Sequence, residues 1–210
     1  MKVTVIGAGN MGAAFVQQLT RVGHQVRVTA RDAAKAAQVA AANPGAQAVP
    51  AAGAAQGGDV VVLATGYGDA VSALQGAGVT AGQVVIDITN PLTADYMGLT
   101  IGHATSAAEE IAKAVPGAEV VKAFNTIFAP VLAGGGDFGQ GHQVEVFVAS
   151  DSERAKQTAR ALAESIGFAV VDAGPLKNAR YLEPVAGLNI YLGYGAGLGT
   201  GIAPTWIRKA

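Results

Sequence analysis

Cysteine is missing from this chain altogether, which excludes disulfides, thiolate metal ligands and cysteine nucleophiles. Charge is scarce too. Only 14% of residues are Asp, Glu, Lys or Arg, 14 basic side chains stand against 15 acidic ones, and no Lys/Arg stripe is present. That balance argues against nucleic acid and against an anionic membrane surface as partners. No apolar run reaches the roughly 18 residues of a membrane span; the Gly-rich tail is broken by Asn189 and by repeated glycines. Met1–Ile6 is too short for the apolar core of a signal peptide and leads straight into glycines. No His/Asp/Glu cluster has metal-ligand spacing, so no metal site is expected. The expectation is a cytoplasmic protein without a nucleic-acid or membrane partner.

What is present is apolar and periodic. Half of the 210 residues are hydrophobic, enough for one sizeable core and cramped for two full domains. Lys2–Ile6 and Gln25–Thr29 read as strands, and between them Met11, Phe15, Leu19 and Val22 share one helical face. An alanine-rich helix over Arg31–Ala42 ends at Asn43-Pro44-Gly45. Asp59–Ala64 and Gln83–Ile88 are wholly apolar strands, the pattern of a sheet covered on both faces. Ser106 and Glu109 have the spacing of a capping box opening a helix to about Val115. Glu119–Phe124 and Val144–Ala149 are further strands. A helix marked by Ala155, Ala159, Leu162 and Ile166 closes at Gly167, and Phe168–Asp172 returns to the sheet. The alternation predicts an α/β fold with a doubly wound, mostly parallel sheet. One domain is expected over residues 1–210, with a core at 1–143 and a small α/β extension with an apolar tail at 144–210. Gly134–Gly141 reads as a mobile loop.

Chemistry enters at Gly7-Ala8-Gly9-Asn10-Met11-Gly12. A G-x-G-x-x-G run is informative only between a strand and a helix, and this one has that context. Gly7 allows the tight turn, Gly9 lets a pyrophosphate approach the backbone, and Gly12 permits close helix–strand packing. The expected fold is therefore Rossmann-type, with phosphates at the helix N-terminus. A site for NAD usually places an acidic side chain about twenty residues past the glycines, to hold the ribose 2′-hydroxyl. Here that position falls near Ala30. Arg31 follows, Lys35 lies one helical turn on, and Asp32 suits a helix cap. A guanidinium beside an ammonium suits a 2′-phosphate, so the expected dinucleotide is NADP(H).

These glycines, with Gly23-His24, Ala30-Arg31, Lys35 and Thr89-Asn90-Pro91-Leu92, resemble the NADP oxidoreductases that use coenzyme F420. Val121-Lys122-Ala123-Phe124-Asn125-Thr126 and the run Asp172–Arg180 with Glu183 continue the likeness over nearly the whole length. The oxidoreductase domain of the six-transmembrane ferric reductases is a more distant relative. The resemblance implies hydride transfer between NADPH and a flavin-like ring, either F420 or FMN/FAD. It implies nicotinamide contacts from Thr65, Gly66, Tyr67 and Asn90, and from Ile127–Ala129. The acceptor ring would lie over Pro91, Leu92 and Asn125 beneath Leu188 and Asn189. Asn125 and Tyr67 stand where His and Trp are expected in members that use F420, which keeps flavins, quinones and ferric chelates open as acceptors.

Hydride transfer needs little protein acid–base chemistry, so no catalytic dyad is expected. Asn125 could bond a carboxamide or a ring carbonyl. His103 and His142 sit in loops within possible reach of a substrate. Asp172, Arg180 and Glu183 read as ion-pairing groups that hold the last helix to the sheet. A non-catalytic NADP(H)-binding redox sensor is the competing reading; it requires the ring site to be plugged by Tyr191–Trp206. The glycines of that tail weaken a regular helix beyond about Tyr191. Its apolar residues need cover, for which a homodimer is the expected solution.

Overall fold

A computed structural model describes residues 1–207 and 209. Six parallel strands form the main sheet in the order β3-β2-β1-β4-β5-β6: β1 (Lys2–Ile6), β2 (Gln25–Thr29), β3 (Ala46–Ala48), β4 (Val60–Leu63), β5 (Val84–Asp87) and β6 (Glu119–Lys122). The order reverses between β1 and β4, which pair in register from Val3 with Val60 to Ile6 with Leu63. At that reversal the loops leaving the carboxyl ends of the two strands diverge and open a crevice.

Helices cover both faces. On one side α1 (Asn10–Arg21), α2 (Ala33–Ala42) and α6 (Glu153–Ser165) meet a core built on Phe15, Val28, Ile86 and Leu162. On the other side α3 (Tyr67–Gly76) and α4 (Ala107–Ala114) enclose Leu63, Leu74, Val85 and Ile111. Phe124 stacks edge-on between Phe15, at 5.0 Å, and Phe168, at 6.2 Å. Such pairs add to the energy of burial itself. The fold is the expected Rossmann-type doubly wound sheet.

Several local expectations need correction. Val22 is an exposed cap residue outside α1, because the helix closes at Arg21 before Gly23, whose φ is +83°. The alanine helix starts at Ala33, since Asp32 caps it by accepting from the N–H groups of Ala34 (3.0 Å) and Lys35 (3.3 Å). β8 (Ala169–Asp172) does not join the main sheet. It pairs in parallel with β7 (Glu145–Val148), and just past β7 Ala149 exchanges two hydrogen bonds with Lys122 of β6 in antiparallel sense. Gly134–Gly141 is not wholly loop: Gly134 ends α5 (Ala129–Gly134), and Asp137 bridges Gln143 across a tight turn. Gly136 there has no room for a side chain, because a Cβ would overlap the carbonyl oxygen of Gly167.

The chain ends on α7 (Ala179–Ile190), which relaxes into a wider π-helical turn over Tyr191–Gly195, where the glycines begin. The tail then folds back. The Trp206 ring packs edge-on against Phe147 at 5.1 Å, and the Trp206 backbone N–H donates to Glu145. Among the described residues no helix is long and apolar enough to cross a membrane, and no group of acidic and histidine side chains could hold a metal ion.

Candidate functional site

The crevice at the strand-order reversal holds a cavity of about 770 Å³. Its floor is the turn from β1 into α1. Gly7 has φ +122° and a Cβ there would overlap the carbonyl oxygen of Ala64; at Gly12 it would overlap that of Gly7. These two glycines are required by the protein itself. Gly9 is different, for a Cβ at Gly9 would meet nothing within 4 Å. The N-terminus of α1 has no side-chain cap and no acidic residue in its first turn, so its free N–H groups and positive dipole end favour an anion.

Gly7, Ala8, Gly9, Asn10, Arg31, Lys35, Thr65 and Gly66 all line this first cavity. Gly12 is buried behind it. Arg31 is 89% exposed and reaches across to Asp69, 3.4 Å away in the first turn of α3. Asp69 lines the same cavity. The sequence reading missed this residue, since α3 was not recognised as a helix. The buried hydroxyls of Thr29 and Thr65, both in lining residues, have no hydrogen-bond partner. Polar groups in that state call for a ligand or water. Tyr67 opens α3 and packs against the second core; desolvation, then the nearby Glu110 carboxylate, raise the pKa of its phenol.

A second cavity, of about 590 Å³, shares Asn10 with the first. Met11, Asn90, Asn125, Ile127, Phe128, Ala129 and Asn189 line it, together with the unforeseen Tyr96, Met97, Ile190 and Tyr194. Pro91, Leu92 and Leu188 are not among its lining residues. Pro91 is buried, Leu92 bridges Leu99, and Leu188 faces solvent. Leu188 is turned outward because Leu182, Ala186 and Asn189 take the inner face of α7. Tyr96 and Met97 reach the cavity on a compact loop closed by Thr100, whose N–H and hydroxyl both donate to the Pro91 carbonyl. His103 and His142 do not line either cavity.

Asn125 is held hard. Its amide nitrogen donates to Asn90 Oδ1 and to the Leu182 carbonyl, both at 3.0 Å, while Asn90 Nδ2 donates back to the Asn125 carbonyl at 2.9 Å. Phe124, just before it, is fully buried at φ +59°, a left-handed conformation that costs a non-glycine residue roughly 1–3 kcal/mol and persists only where its surroundings impose it. Close by lies a buried charge cluster. Lys122, with no exposure, sits 2.7 Å from Asp87 and 2.9 Å from Glu183, and donates to the Thr89 carbonyl at 2.5 Å. Glu183 also accepts from the N–H groups of Ala107 and Ala108 at the start of α4. Arg180 forks onto Glu109 at 2.7 and 2.8 Å, and Asp172 pairs with Lys156 at 3.0 Å. Asp172, Arg180 and Glu183 thus hold structure, each with a charged partner in another element.

A family model for NADP oxidoreductases, coenzyme F420-dependent, matches residues 2–91. The F420-dependent NADP reductase of Methanothermobacter thermautotrophicus is 31% identical over 91% of this chain and 89% of its own length. The chain belongs to the F420-dependent NADP oxidoreductase family. The crystal structure of a candidate F420-dependent NADP-reductase from Arthrobacter sp. FB24 superposes with a TM-score of 0.88 at 29% identity, covering 99% of this chain and 100% of that one. Metalloreductase STEAP3 of Rattus norvegicus is 29% identical over 88% of this chain, which spans only 36% of that protein. As a member of this family the chain is an NADP-dependent oxidoreductase, and the hydride acceptor is the open question.

Proposed function

We propose that this chain transfers hydride between NADP(H) and a flavin-like acceptor, coenzyme F420 or a flavin, bound in the second cavity. The observation that carries this is the apolar ring-sized space that shares Asn10 with the first cavity and is not filled by the tail. Ile190 and Tyr194 form part of its wall, and a sensor plugged by Tyr191–Trp206 would have no such space. Pockets of this volume are typical of small-molecule sites.

The residues fit the dinucleotide. Gly7, Ala8, Gly9 and the α1 N-terminus would hold the pyrophosphate, Arg31 and Lys35 the 2′-phosphate, and Thr65, Gly66, Asn90 and Ala129 the nicotinamide end. Asn10 and Met11 lie where the two cavities meet. Asn125 and Asn189 would border the acceptor ring. When bound, the two cofactors supply the hydride donor and acceptor chemistry. The protein's part is alignment and exclusion of water, and near-attack positioning can lower a barrier by about 7–11 kcal/mol. No proton-transfer dyad is needed in that scheme.

The direct test follows NADPH oxidation with F420, FMN, FAD, quinones and ferric chelates in parallel. Turnover with F420 or a flavin is the expected result. Tight NADPH binding with no turnover on any member of the panel would leave the sensor reading in its place.

A further inference from the structure

The amide of Asn125 has only one orientation that its neighbours allow. The Leu182 carbonyl can only accept a hydrogen bond, so the atom 3.0 Å from it must be Nδ2. The second Nδ2 hydrogen goes to Asn90 Oδ1, and Asn90 cannot turn, because its own nitrogen is committed to the Asn125 carbonyl. Both donor hydrogens of Asn125 are therefore consumed inside the protein. What remains is Oδ1, a buried acceptor with no partner. The ring carbonyl that the sequence reading allowed as a partner cannot bond it, since two acceptors do not pair.

The next residue adds the complementary group. Thr126 Oγ1 is also buried without a partner, and a hydroxyl can donate or accept. Both side chains belong to residues lining the second cavity, and both follow the strained turn at Phe124. An acceptor with no free donor and, on the next residue, a hydroxyl that can donate together match one simple chemical group.

We propose that Asn125 Oδ1 and Thr126 Oγ1 together read an amide edge, –C(=O)–NH–, on the ligand in the second cavity. The N–H donates to Asn125 and the carbonyl accepts from Thr126. This rests on the reading of that cavity as the site where the two rings meet. Two ligand groups carry such an edge: the imide of a flavin-like ring and the carboxamide of the nicotinamide. A quinone carries the carbonyl without the N–H, and in contact with this pair would leave Asn125 unsatisfied.

Altering Asn125 would break its bonds to Asn90 and Leu182, so the test changes the ligand and leaves the protein intact. Lumiflavin is compared with 3-methyllumiflavin, which lacks the imide N–H. NADPH is compared with the reduced 3-acetylpyridine analogue, which lacks the carboxamide N–H. Binding is read by fluorescence, without turnover. Leaving a buried acceptor unpaired should weaken binding at least about fivefold. A loss confined to the methylated flavin assigns the edge to the acceptor ring; a loss confined to the acetylpyridine analogue assigns it to the nicotinamide. Thr126→Val removes a hydroxyl with no internal bond, so the variant should fold as stably as the parent and bind the discriminating ligand several-fold more weakly. Full binding of both analogues, or a Thr126→Val chain that binds lumiflavin and NADPH as tightly as the parent, overturns the proposal. A chain that discriminates in binding but transfers no hydride sinks the proposed function and leaves this reading standing.

Discussion

Arg31 has a partner before any dinucleotide arrives. Its contact with Asp69 is a long one between two exposed groups, worth about 0.2–1 kcal/mol. A charge-assisted bond to a 2′-phosphate contributes about 1.5–3 kcal/mol, so the phosphate wins the guanidinium but surrenders part of the gain. Arg31→Ala should therefore weaken NADPH binding about tenfold and leave NADH nearly unchanged. Asp69→Ala should strengthen NADPH binding by up to about fivefold, because it removes the competing carboxylate. Titration of both nucleotides against the three chains decides it: equal losses for NADPH and NADH in Arg31→Ala sink the 2′-phosphate role. Gly9 offers a second check. Its backbone is ordinary, φ −79°, and a side chain there meets no protein atom. Gly9→Val should keep the fold and lose dinucleotide binding, so nucleotide that still raises its melting temperature as in the parent would refute the pyrophosphate assignment.

At the scale of elements, α7 is fastened to α4 by Arg180 and Glu109. The Arg180 guanidinium, with a smaller contribution from the Ser106 hydroxyl, holds the Glu109 carboxyl below its usual 4.5. A carboxyl depressed in the folded state contributes stability that is present above its ordinary value and is lost as pH falls below it. Arg180→Gln should therefore cost about 1 kcal/mol at neutral pH, and its stability should fall less steeply than the parent's below about pH 4.5. Chemical denaturation at pH 7 and at acid pH measures both; identical acid slopes would show that the pair does not couple to folding. The buried cluster around Lys122 answers to a different rule. Lys122→Ala would strand Asp87 and Glu183 without their cation, a loss on the order of 3–5 kcal/mol.

Elements with strong periodicity were legible in the sequence, and those without it were not. Phe15 and Leu19 announce α1, and valine-rich runs announce β1, β4 and β5. The helix α3 was hidden, because Tyr67-Gly68-Asp69 opens it with a glycine and no side-chain cap. With it went Asp69, the residue that contests Arg31. The short β3, Ala-Gln-Ala on the sheet edge, has no apolar alternation to betray it. At the site, Gly7, Gly9, Gly12 and Arg31 follow from motif spacing. Tyr96 and Met97 reach the second cavity through loop folding that no local pattern encodes. Leu188 illustrates the converse: a one-residue difference in helical phase sends Asn189 inward and Leu188 outward.

The molecule as a whole leaves one apolar face uncovered. Tyr181, Leu188 and Tyr191 line up along the outside of α7, each more than half exposed, and Tyr194 and Leu198 extend the stripe. The far end of the tail is tied down within the chain by Trp206 on Phe147, away from this stripe, so it does not supply the cover that the stripe lacks. Contiguous exposed apolar surface marks an association site, and closed two-fold dimers are the commonest soluble assembly. A second copy laid across α7 would press on the element that carries Ala186, Asn189 and Ile190 into the second cavity, coupling assembly to that cavity and not to the first. The parent should therefore be a homodimer. Leu188→Glu with Tyr191→Glu places charge on the stripe without touching either core. The double variant should be monomeric, bind NADPH with parental affinity, and turn over acceptor at least several-fold more slowly. Light scattering, nucleotide titration and steady-state kinetics on the two chains test the three statements together. A monomeric parent removes the basis for this interface, and a monomeric variant with full turnover would show that the second cavity is complete within one chain.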